Sequence, residues 1–374
     1  MENESDRSLL RGSRRAFLGF GMACVATVSV AGAVAWRLIQ DATRSEEATF
    51  WRGPYLVSVG PQEAELRWET KPSAAIELVA TAPDGSTARA EMGRFVGLQP
   101  GTRYRWSALV DGEEGAAGSF ATAPTAPGTP VTFGVIGDYG SGKDHEVNVG
   151  RVALSQGPSF MVTTGDNSYL VAAAALLDRN IFQPLAPLLA SCPLYVCVGD
   201  HDEFWPGPGA LLGAFGQSRF QDVRHGEVQV VIVGDRAGEE GAARAREALL
   251  RPGPRVRFIS QHRPPQLGDP LLPVARETGV AAIFAGHLHR YERRTVEGVL
   301  TLTVGTGGQG PGSLEATPRS REAVVSLLDY GYLRVDVDEA GGVRYRFLDE
   351  FGRQLDEHAT APMPAPATPP PAGA

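Results

Sequence analysis

Cysteine and basic residues are scarce in this chain of 374 residues, which has three cysteines and 35 lysines and arginines against 43 acidic residues. The formal net charge of −8 provides no basic surface for a phosphate backbone, so we expect no nucleic-acid-duplex binding. Cys24 lies in an N-terminal apolar segment, and Cys192 and Cys197 flank a short apolar run. If that run is a strand, it places their Cα atoms about 16 Å apart, beyond disulfide reach. We therefore predict that Cys192 and Cys197 are buried free thiols.

Charged residues make up only 21% of the chain and hydrophobic residues 43%, which is typical of a globular protein with two or three domains. At the N-terminus, residues 13–18 (SRRAFL) precede an apolar stretch rich in glycine and alanine that runs to Ala35. This pattern predicts a twin-arginine export signal over residues 1–40. Residues 31–33 (AGA) offer a cleavage site, whereas residues 17–36 are long enough to remain as a membrane anchor. The prediction is an exported protein that is periplasmic, extracellular or membrane-anchored facing outward, with a membrane contact only if the segment is retained.

Residues 50–123 contain short alternating runs separated by proline and glycine turns, which predicts an all-β sandwich. Within them, residues 98–106 (LQPGTRYRW) resemble the fibronectin type III corner, in which a tyrosine hydroxyl bonds to nearby backbone. Proline-rich residues 124–130 predict a linker.

From residue 131 to about 352, apolar runs alternate with longer segments such as residues 241–250, which predicts βαβ units and an α/β domain. Residues 359–374 are rich in proline and alanine and predict a disordered tail.

Polar clusters end five of the apolar runs in this second region. The clusters are Gly137-Asp138-Tyr139-Gly140, Gly165-Asp166-Asn167-Ser168-Tyr169, Gly199-Asp200-His201-Asp202, Gln261-His262-Arg263-Pro264 and Gly286-His287-Leu288-His289. Because the C-terminal ends of strands in an α/β sheet share one edge, we expect these side chains to converge. The glycine that begins four of the clusters is expected to let the backbone turn sharply.

Carboxylates and imidazoles without thiolates suit iron, zinc or manganese rather than a structural zinc–thiolate site. A single Gly-Asp pair is more typical of a turn or a helix N-cap. Five such clusters, which contain four of the seven histidines, favour a metal site.

The ordered motifs GDYG, GDNSY, GDHD, QH and GHLH resemble the pattern of calcineurin-like metallophosphoesterases. Two details are similar to the purple acid phosphatases within that group: Tyr169 follows Asp166 by three residues, and residues 286–293 (GHLHRYER) are similar to a GHxHxYER segment. The resemblance covers nearly everything from Phe50 to Phe351. It implies an α/β (α+β) four-layer metallophosphoesterase sandwich, preceded by an all-β fibronectin III-like sandwich.

The same resemblance implies a role for each matching residue. Asp138, Asp166, Tyr169 and His289 would hold Fe(III), while Asp166 would also bridge to a second ion, Fe(II), Zn or Mn, held by Asp200, His262 and His287. His201 would contact the phosphate and help to protonate the leaving group. The implied reaction is the hydrolysis of small-molecule phosphate monoesters by a metal-activated hydroxide.

This chain departs from the family pattern at Asp200, where the family has asparagine. The added carboxylate should bind a divalent ion more tightly and attract phosphate less strongly. Arg263 is either a substrate contact or part of a surface salt bridge, and the sequence leaves both open. His145, His225 and His358 are predicted to be structural or exposed.

Alternative functions start from the same motifs. A phosphodiesterase or nucleotidase of the same superfamily fits them, and Asp200 also allows a non-catalytic, metal-containing surface-binding protein, although His201 argues against a purely structural site. Residues 137–144 (GDYGSGKD) nearly match a nucleotide-binding P-loop. That reading is disfavoured because Asp144 lacks the hydroxyl needed for magnesium and Asp138 would repel phosphates.

Overall fold

The computed structural model describes residues 50–70, 74–169, 174–310 and 320–362. The predicted export signal therefore lies outside the described residues, as does most of the predicted tail. Within the described ranges, no helix is both long and apolar enough to cross a membrane.

The N-terminal region is all-β, and its strands pair antiparallel in two sheets. The strands are β1 Phe50–Val59, β2 Glu63–Thr70, β3 Ile76–Thr81, β4 Thr87–Arg89, β5 Arg94–Val96, β6 Arg103–Val110 and β7 Glu113–Ala121. One sheet has the order β1-β2-β5 and the other β4-β3-β6-β7. In β6, Tyr104 and Trp106 point inward while Arg103 and Arg105 are exposed, so the alternation seen in the sequence forms the core. The Tyr104 hydroxyl accepts a hydrogen bond of 2.8 Å from the Gln99 N–H, as predicted for the tyrosine corner.

The rest of the described chain is mixed α/β. Its strands are β8 Val131–Ile136, β9 Met161–Thr163, β10 Leu194–Tyr195, β11 Gln221–His225, β12 Val228–Gly234, β13 Val256–Gln261, β14 Ala282–Ala285, β15 Tyr291–Val296, β16 Val299–Val304, β17 Ala323–Leu327, β18 Gly331–Val337, β19 Val343–Asp349 and β20 Gln354–Thr360. The helices are α1 Asp144–Ser155, α2 Ala174–Leu177, a π-helical turn Asp178–Phe182, α3 Ala186–Leu189, α4 Asp200–Glu203, α5 Gly209–Phe215, α6 Gly238–Leu250 and α7 Leu271–Thr278.

Two sheets pack face to face in this region, one with the order β10-β9-β8-β18-β19-β20 and the other β11-β12-β13-β14-β16-β15-β17. Phe133 from the first sheet meets Phe258 from the second, with ring centroids 5.3 Å apart. Helix α1 packs on the outer side of the first sheet, and α6 and α7 cover the second. These four layers confirm the predicted fold class.

The sheet assignment differs from the single shared edge expected from the sequence. Strands β8, β9 and β10 belong to the first sheet, whereas β13 and β14 belong to the second. The C-terminal ends of both parallel segments nevertheless meet, because the two sheets are stacked.

The structure also tests two local predictions, one about the C-terminal tail and one about the cysteines. The predicted tail begins too early, because β20 runs to Thr360 and pairs Ala359 with Arg344. Cys192 and Cys197 are free and buried, as predicted, although β10 ends at Tyr195 and is shorter than the run that suggested it.

An ion pair and hydrogen bonds connect the all-β region to the α/β region. Arg52 of β1 forms a buried ion pair with Asp178 of the π-helical turn. The Trp106 ring N–H donates to the Ala190 carbonyl at 3.0 Å, and the Tyr55 hydroxyl donates to the Ala214 carbonyl at 2.9 Å. Polar atoms buried between the two regions thus find partners across the contact.

Candidate metal centre

The side chains of the five polar clusters converge where the parallel strands of both sheets end. Asp138 follows β8 and Asp166 follows β9, and both carboxylates are buried. Asp200 begins α4, His262 follows β13, and His287 and His289 follow β14. The topology therefore brings together groups that are up to 151 positions apart, from Asp138 to His289.

Three residues of the predicted metal site adopt unusual backbone angles. Asp138, Asp166 and His287 have φ values of +52°, +53° and +69°, in the left-handed region that side chains rarely occupy. Such a conformation costs on the order of 1–2 kcal/mol per residue and recurs at functional sites.

The glycines of the motifs act mainly by allowing close approach. A Cβ atom on Gly199 would lie 2.3 Å from Asp166 Oδ1, and one on Gly286 would lie 2.4 Å from Asp138 Oδ2. Gly165, at φ +98°, is the one motif-initial glycine that makes the sharp turn expected from the sequence. At Gly199 and Gly286, the missing side chain leaves room for a carboxylate from another strand.

One group of polar side chains surrounds Asp138. The Tyr169 hydroxyl lies 3.1 Å from Asp138 Oδ1 and 2.9 Å from His289 Nε2. His289 Nε2 lies 3.4 Å from Asp138 Oδ1. The His287 N–H donates to Asp138 Oδ2 at 2.9 Å and so fixes the carboxylate's orientation.

A second group is formed by Asp200, His262 and His287, whose ligand atoms all lie within 4.8 Å of one another. Asp200 Oδ1 lies 2.7 Å from His262 Nε2 and 3.1 Å from His287 Nδ1. The other ring nitrogen of His262 lies 2.8 Å from the Thr164 carbonyl, which it can bond as a donor. This leaves Nε2 as the nitrogen that faces the cluster, the arrangement typical of metal-binding histidines.

Asp166 and His262 connect the two groups. His262 Nε2 lies 3.3 Å from Asp166 Oδ1, and Asp138, Asp166 and His262 form a second set whose donor atoms lie within 4.8 Å of one another. Burial and the nearby negative charges of Asp138 and Asp200 raise the pKa of Asp166 to about 7, despite the opposing charge of His262. Burial disfavours the charged form of His262, but its bond to Asp200 and the surrounding carboxylates raise its pKa to about 10. Positive charge is thus favoured at this point, and the oxygen and nitrogen donors fit metal cations.

His201 lines the open side of the centre. Its Nε2 atom lies 4.0 Å from Asp166 Oδ2, and its backbone N–H donates to Asp166 Oδ1 at 2.9 Å. The ring is 36% exposed, and its centroid lies 4.6 Å from that of Tyr169. The exposed Phe204 ring is the next aromatic group along this wall, at 5.3 Å from His201. His201 therefore lies next to the potential metal ligands, and its ring is accessible to solvent.

Sequence reasoning missed the role of Asp202. This buried carboxylate accepts hydrogen bonds from the N–H groups of Gly199 and Asn167 and from the Asn167 side chain. It therefore ties the third motif to the second. The available signal was its position three residues after the N-cap Gly199, where an acidic side chain commonly bonds back to the cap.

Arg263 was left open by the sequence, and the structure places its guanidinium against the second group. The Nη2 atom lies 3.2 Å from Asp200 Oδ2, and Nε lies 3.0 Å from Asp235 Oδ1. No motif pointed to Asp235, which follows β12.

The remaining histidines have other surroundings. His145 stacks on Tyr330 with centroids 3.9 Å apart and lies 2.9 Å from Glu350. His225 is buried beside Phe160, whereas His358 packs near Tyr345 at the outer strand β20. These placements agree with the structural roles expected.

The nucleotide-binding alternative conflicts with the loop after β8. The N–H groups of Ser141 and Gly142 donate to Glu146 Oε2 at 3.0 and 2.8 Å. A carboxylate of the protein thus occupies the donors that a P-loop would offer to phosphate.

Comparison with known proteins identifies this region. The family model of calcineurin-like phosphoesterases matches residues 131–291, which contain Asp138 to His289. These residues form a calcineurin-like phosphoesterase domain. No curated protein matches the chain in sequence.

Several solved structures are similar in fold to this chain over the phosphoesterase domain and beyond it. The purple acid phosphatase from yellow lupin (Lupinus luteus) seeds matches with a TM-score of 0.65 and 14% identity, covering 82% of this chain and 73% of that one. PhoD matches with a TM-score of 0.58 and 11% identity, covering 84% and 90%. GAP50, the anchor in the inner membrane complex of Plasmodium, matches with a TM-score of 0.51 and 14% identity, covering 63% and 90%. At these identities the similarity concerns the fold.

Proposed function

We propose that this protein is a binuclear metallophosphoesterase that hydrolyses phosphate monoesters, with Fe(III) and a second ion, Fe(II), Zn or Mn. One observation carries the proposal: two groups of oxygen and nitrogen donors meet through Asp166 and His262, whose facing atoms are 3.3 Å apart. Because the two groups of donor atoms lie this close together, a cation bound to each group could share the Asp166 carboxylate. The phosphoesterase family match and the similarity in fold to purple acid phosphatase support the same assignment.

In this proposal, Asp138, Tyr169 and His289 hold the trivalent ion with Asp166, and Asp200, His262 and His287 hold the divalent ion. When bound, such ions supply Lewis acidity to the phosphoryl oxygens and a water-derived nucleophile.

His201 stands at the open side with a partly exposed imidazole, so it can contact a phosphate oxygen and pass a proton to the departing alcohol. Asp202 holds the loop that carries His201, through its bond to the Gly199 N–H.

The test uses the full chain, which is loaded with iron and zinc and assayed with 4-nitrophenyl phosphate. We expect turnover that Asp166→Ala reduces by at least about a hundredfold, since loss of the shared carboxylate removes a metal-holding group. Asp84→Ala, at an exposed turn of the all-β region, is the matched control and should retain turnover.

The assay also separates the alternatives. A preference for bis(4-nitrophenyl) phosphate would replace the monoesterase assignment with a phosphodiesterase. A protein that binds both ions yet hydrolyses neither ester from acidic to alkaline pH would favour a non-catalytic binding protein.

We further propose that the all-β region is a fibronectin III-like domain and that the chain is exported by the twin-arginine route. The tyrosine corner at Tyr104 supports the first part, and Arg14 and Arg15, which precede the apolar N-terminal stretch, support the second. Replacing both arginines with lysine should retain the protein in the cytoplasm on fractionation. Unchanged export would contradict the route.

A further inference from the structure

Arg263 lies beside the carboxylate that departs from the family pattern. Its Nη2 atom is 3.2 Å from Asp200 Oδ2, and its Nη1 atom is 2.7 Å from His287 Nε2. On the opposite side, its Nε atom is 3.0 Å from Asp235 Oδ1, and its backbone N–H donates to the Asp235 carbonyl at 3.1 Å. Asp235 thus holds the guanidinium so that both terminal nitrogens face the metal centre.

The two oxygens of Asp200 have different surroundings. Oδ1 faces His262 and His287, at 2.7 and 3.1 Å, and is the oxygen directed at the second group of donors. Oδ2 lies 3.2 Å from Arg263 Nη2. One oxygen is therefore presented to a metal ion, as an asparagine amide would present it, while the other meets a cation of the protein.

Charge leads to the same conclusion. An aspartate in place of asparagine adds one negative charge to the centre, and the guanidinium at 3.2 Å adds one positive charge. Both side chains are only partly exposed, at 29% and 25%, so water screens the pair less than it would on an open surface.

We propose that Asp200 and Arg263 act as one unit that takes the place of the family's neutral asparagine. Asp200 supplies the metal-facing oxygen, and Arg263 is a positioning residue that cancels the added charge and holds the second oxygen away from the ion. The centre thereby keeps the net charge needed to attract a phosphate ester. This inference rests on the proposed function, because it concerns the residues that would hold the divalent ion.

A charge-exchange cycle tests the proposal with the full chain and the variants D200N, R263M and D200N/R263M. Zinc affinity is measured by calorimetry on metal-stripped protein, and the affinity for inorganic phosphate is measured on metal-loaded protein. R263M should bind zinc about tenfold more tightly and phosphate about tenfold more weakly, since it leaves Asp200 uncompensated. D200N should shift both affinities in the opposite direction. The double variant should lie within about threefold of the wild type, because its centre regains the same net charge.

Controls separate the pair from general effects of arginine loss. R293M breaks another arginine–carboxylate pair, with Asp356, and should leave both affinities unchanged. R263K keeps the charge without the forked geometry and should fall between the wild type and R263M. Thermal unfolding of each variant confirms that the compared proteins are folded.

Four results would overturn the inference. If R263M weakens phosphate binding without tightening zinc binding, Arg263 contacts phosphate directly and does not compensate Asp200. If R263M changes neither affinity, Arg263 is only a surface partner of Asp235. If the wild type binds no zinc and hydrolyses no ester, the proposed function fails as well. If the wild type binds zinc and turns over substrate but the double variant differs from it as much as R263M does, this inference alone fails.

Discussion

The hydroxyl of Tyr169 lies 2.9 Å from Nε2 of His289. Both residues also contact Asp138, so the phenol is directed at the proposed Fe(III) position rather than at solvent. If iron binds there, its phenolate contact should give the protein a visible charge-transfer absorption. Tyr169→Phe should abolish that band while the divalent ion is retained, as measured by absorption spectroscopy with metal analysis. Tyr330→Phe, which alters a ring stacked on His145, should keep the band. An iron-loaded wild type without visible absorption would contradict a phenolate ligand.

Gly199 leaves room for the shared carboxylate of Asp166. Gly199→Ala would place a methyl group 2.3 Å from Asp166 Oδ1, so the two motifs must move apart. We expect metal affinity to fall by at least about tenfold, equal to about 1.4 kcal/mol, as measured by calorimetry. Gly213→Ala in α5 meets no atom within 4 Å and should bind metal normally, with unchanged or slightly higher stability. Equal affinities for the two variants would show that the close approach is unimportant.

Arg52 joins the all-β region to the phosphoesterase domain. Arg52→Ala removes the partner of a buried carboxylate, since the Asp178 side chain is only 5% exposed. We expect the free energy of unfolding to fall by about 3–5 kcal/mol, measured by urea denaturation. Arg94→Ala breaks a surface pair with Glu63, whose side chains are 58% and 49% exposed, and should leave the free energy of unfolding nearly unchanged. A small effect of Arg52→Ala would indicate that Asp178 readily finds other partners.

Buried His225 should make stability sensitive to acid. Burial lowers its pKa from 6.5 to about 4, so the unfolded chain binds a proton that the folded protein resists. Its contribution is complete above pH 6.5 and is lost as the pH falls toward 4, by about 3 kcal/mol in total. His225→Phe should therefore flatten the fall in urea midpoint between neutral and acidic pH. Comparing each variant with the wild type at the same pH cancels the titration of other groups, and parallel curves would refute the assignment.

The sequence predicts the elements of this fold better than their assembly. Apolar runs that end in Asp138, Asp166 and His287 mark buried strands and their C-terminal ends. Assignment of those strands to two stacked sheets could not be predicted from the runs alone, because a buried parallel strand has the same composition in either sheet. The four-layer arrangement was implied by the family resemblance, because the hydrophobic pattern of each strand does not show which sheet the strand joins.

The centre shows the same division between local pattern and long-range contact. Residue type and order indicate which side chains could hold a metal. The role of Arg263 depends on Asp235, which a separate strand places beside it, and the sequence carries no local signal for that meeting. Likewise, the dipeptide Gly-Asp suggests that the glycine adopts the positive φ of the turn. In the structure Asp138 has the positive φ, and Gly137 does not.

The left-handed backbone at Asp138, Asp166 and His287 has a consequence for which substitutions these positions accept. Asparagine enters this region more readily than most residues, whereas a β-branched residue is strongly disfavoured there. Valine or threonine at any of the three positions should therefore displace the backbone in addition to removing a donor, and asparagine is the substitution that tests the donor atom alone.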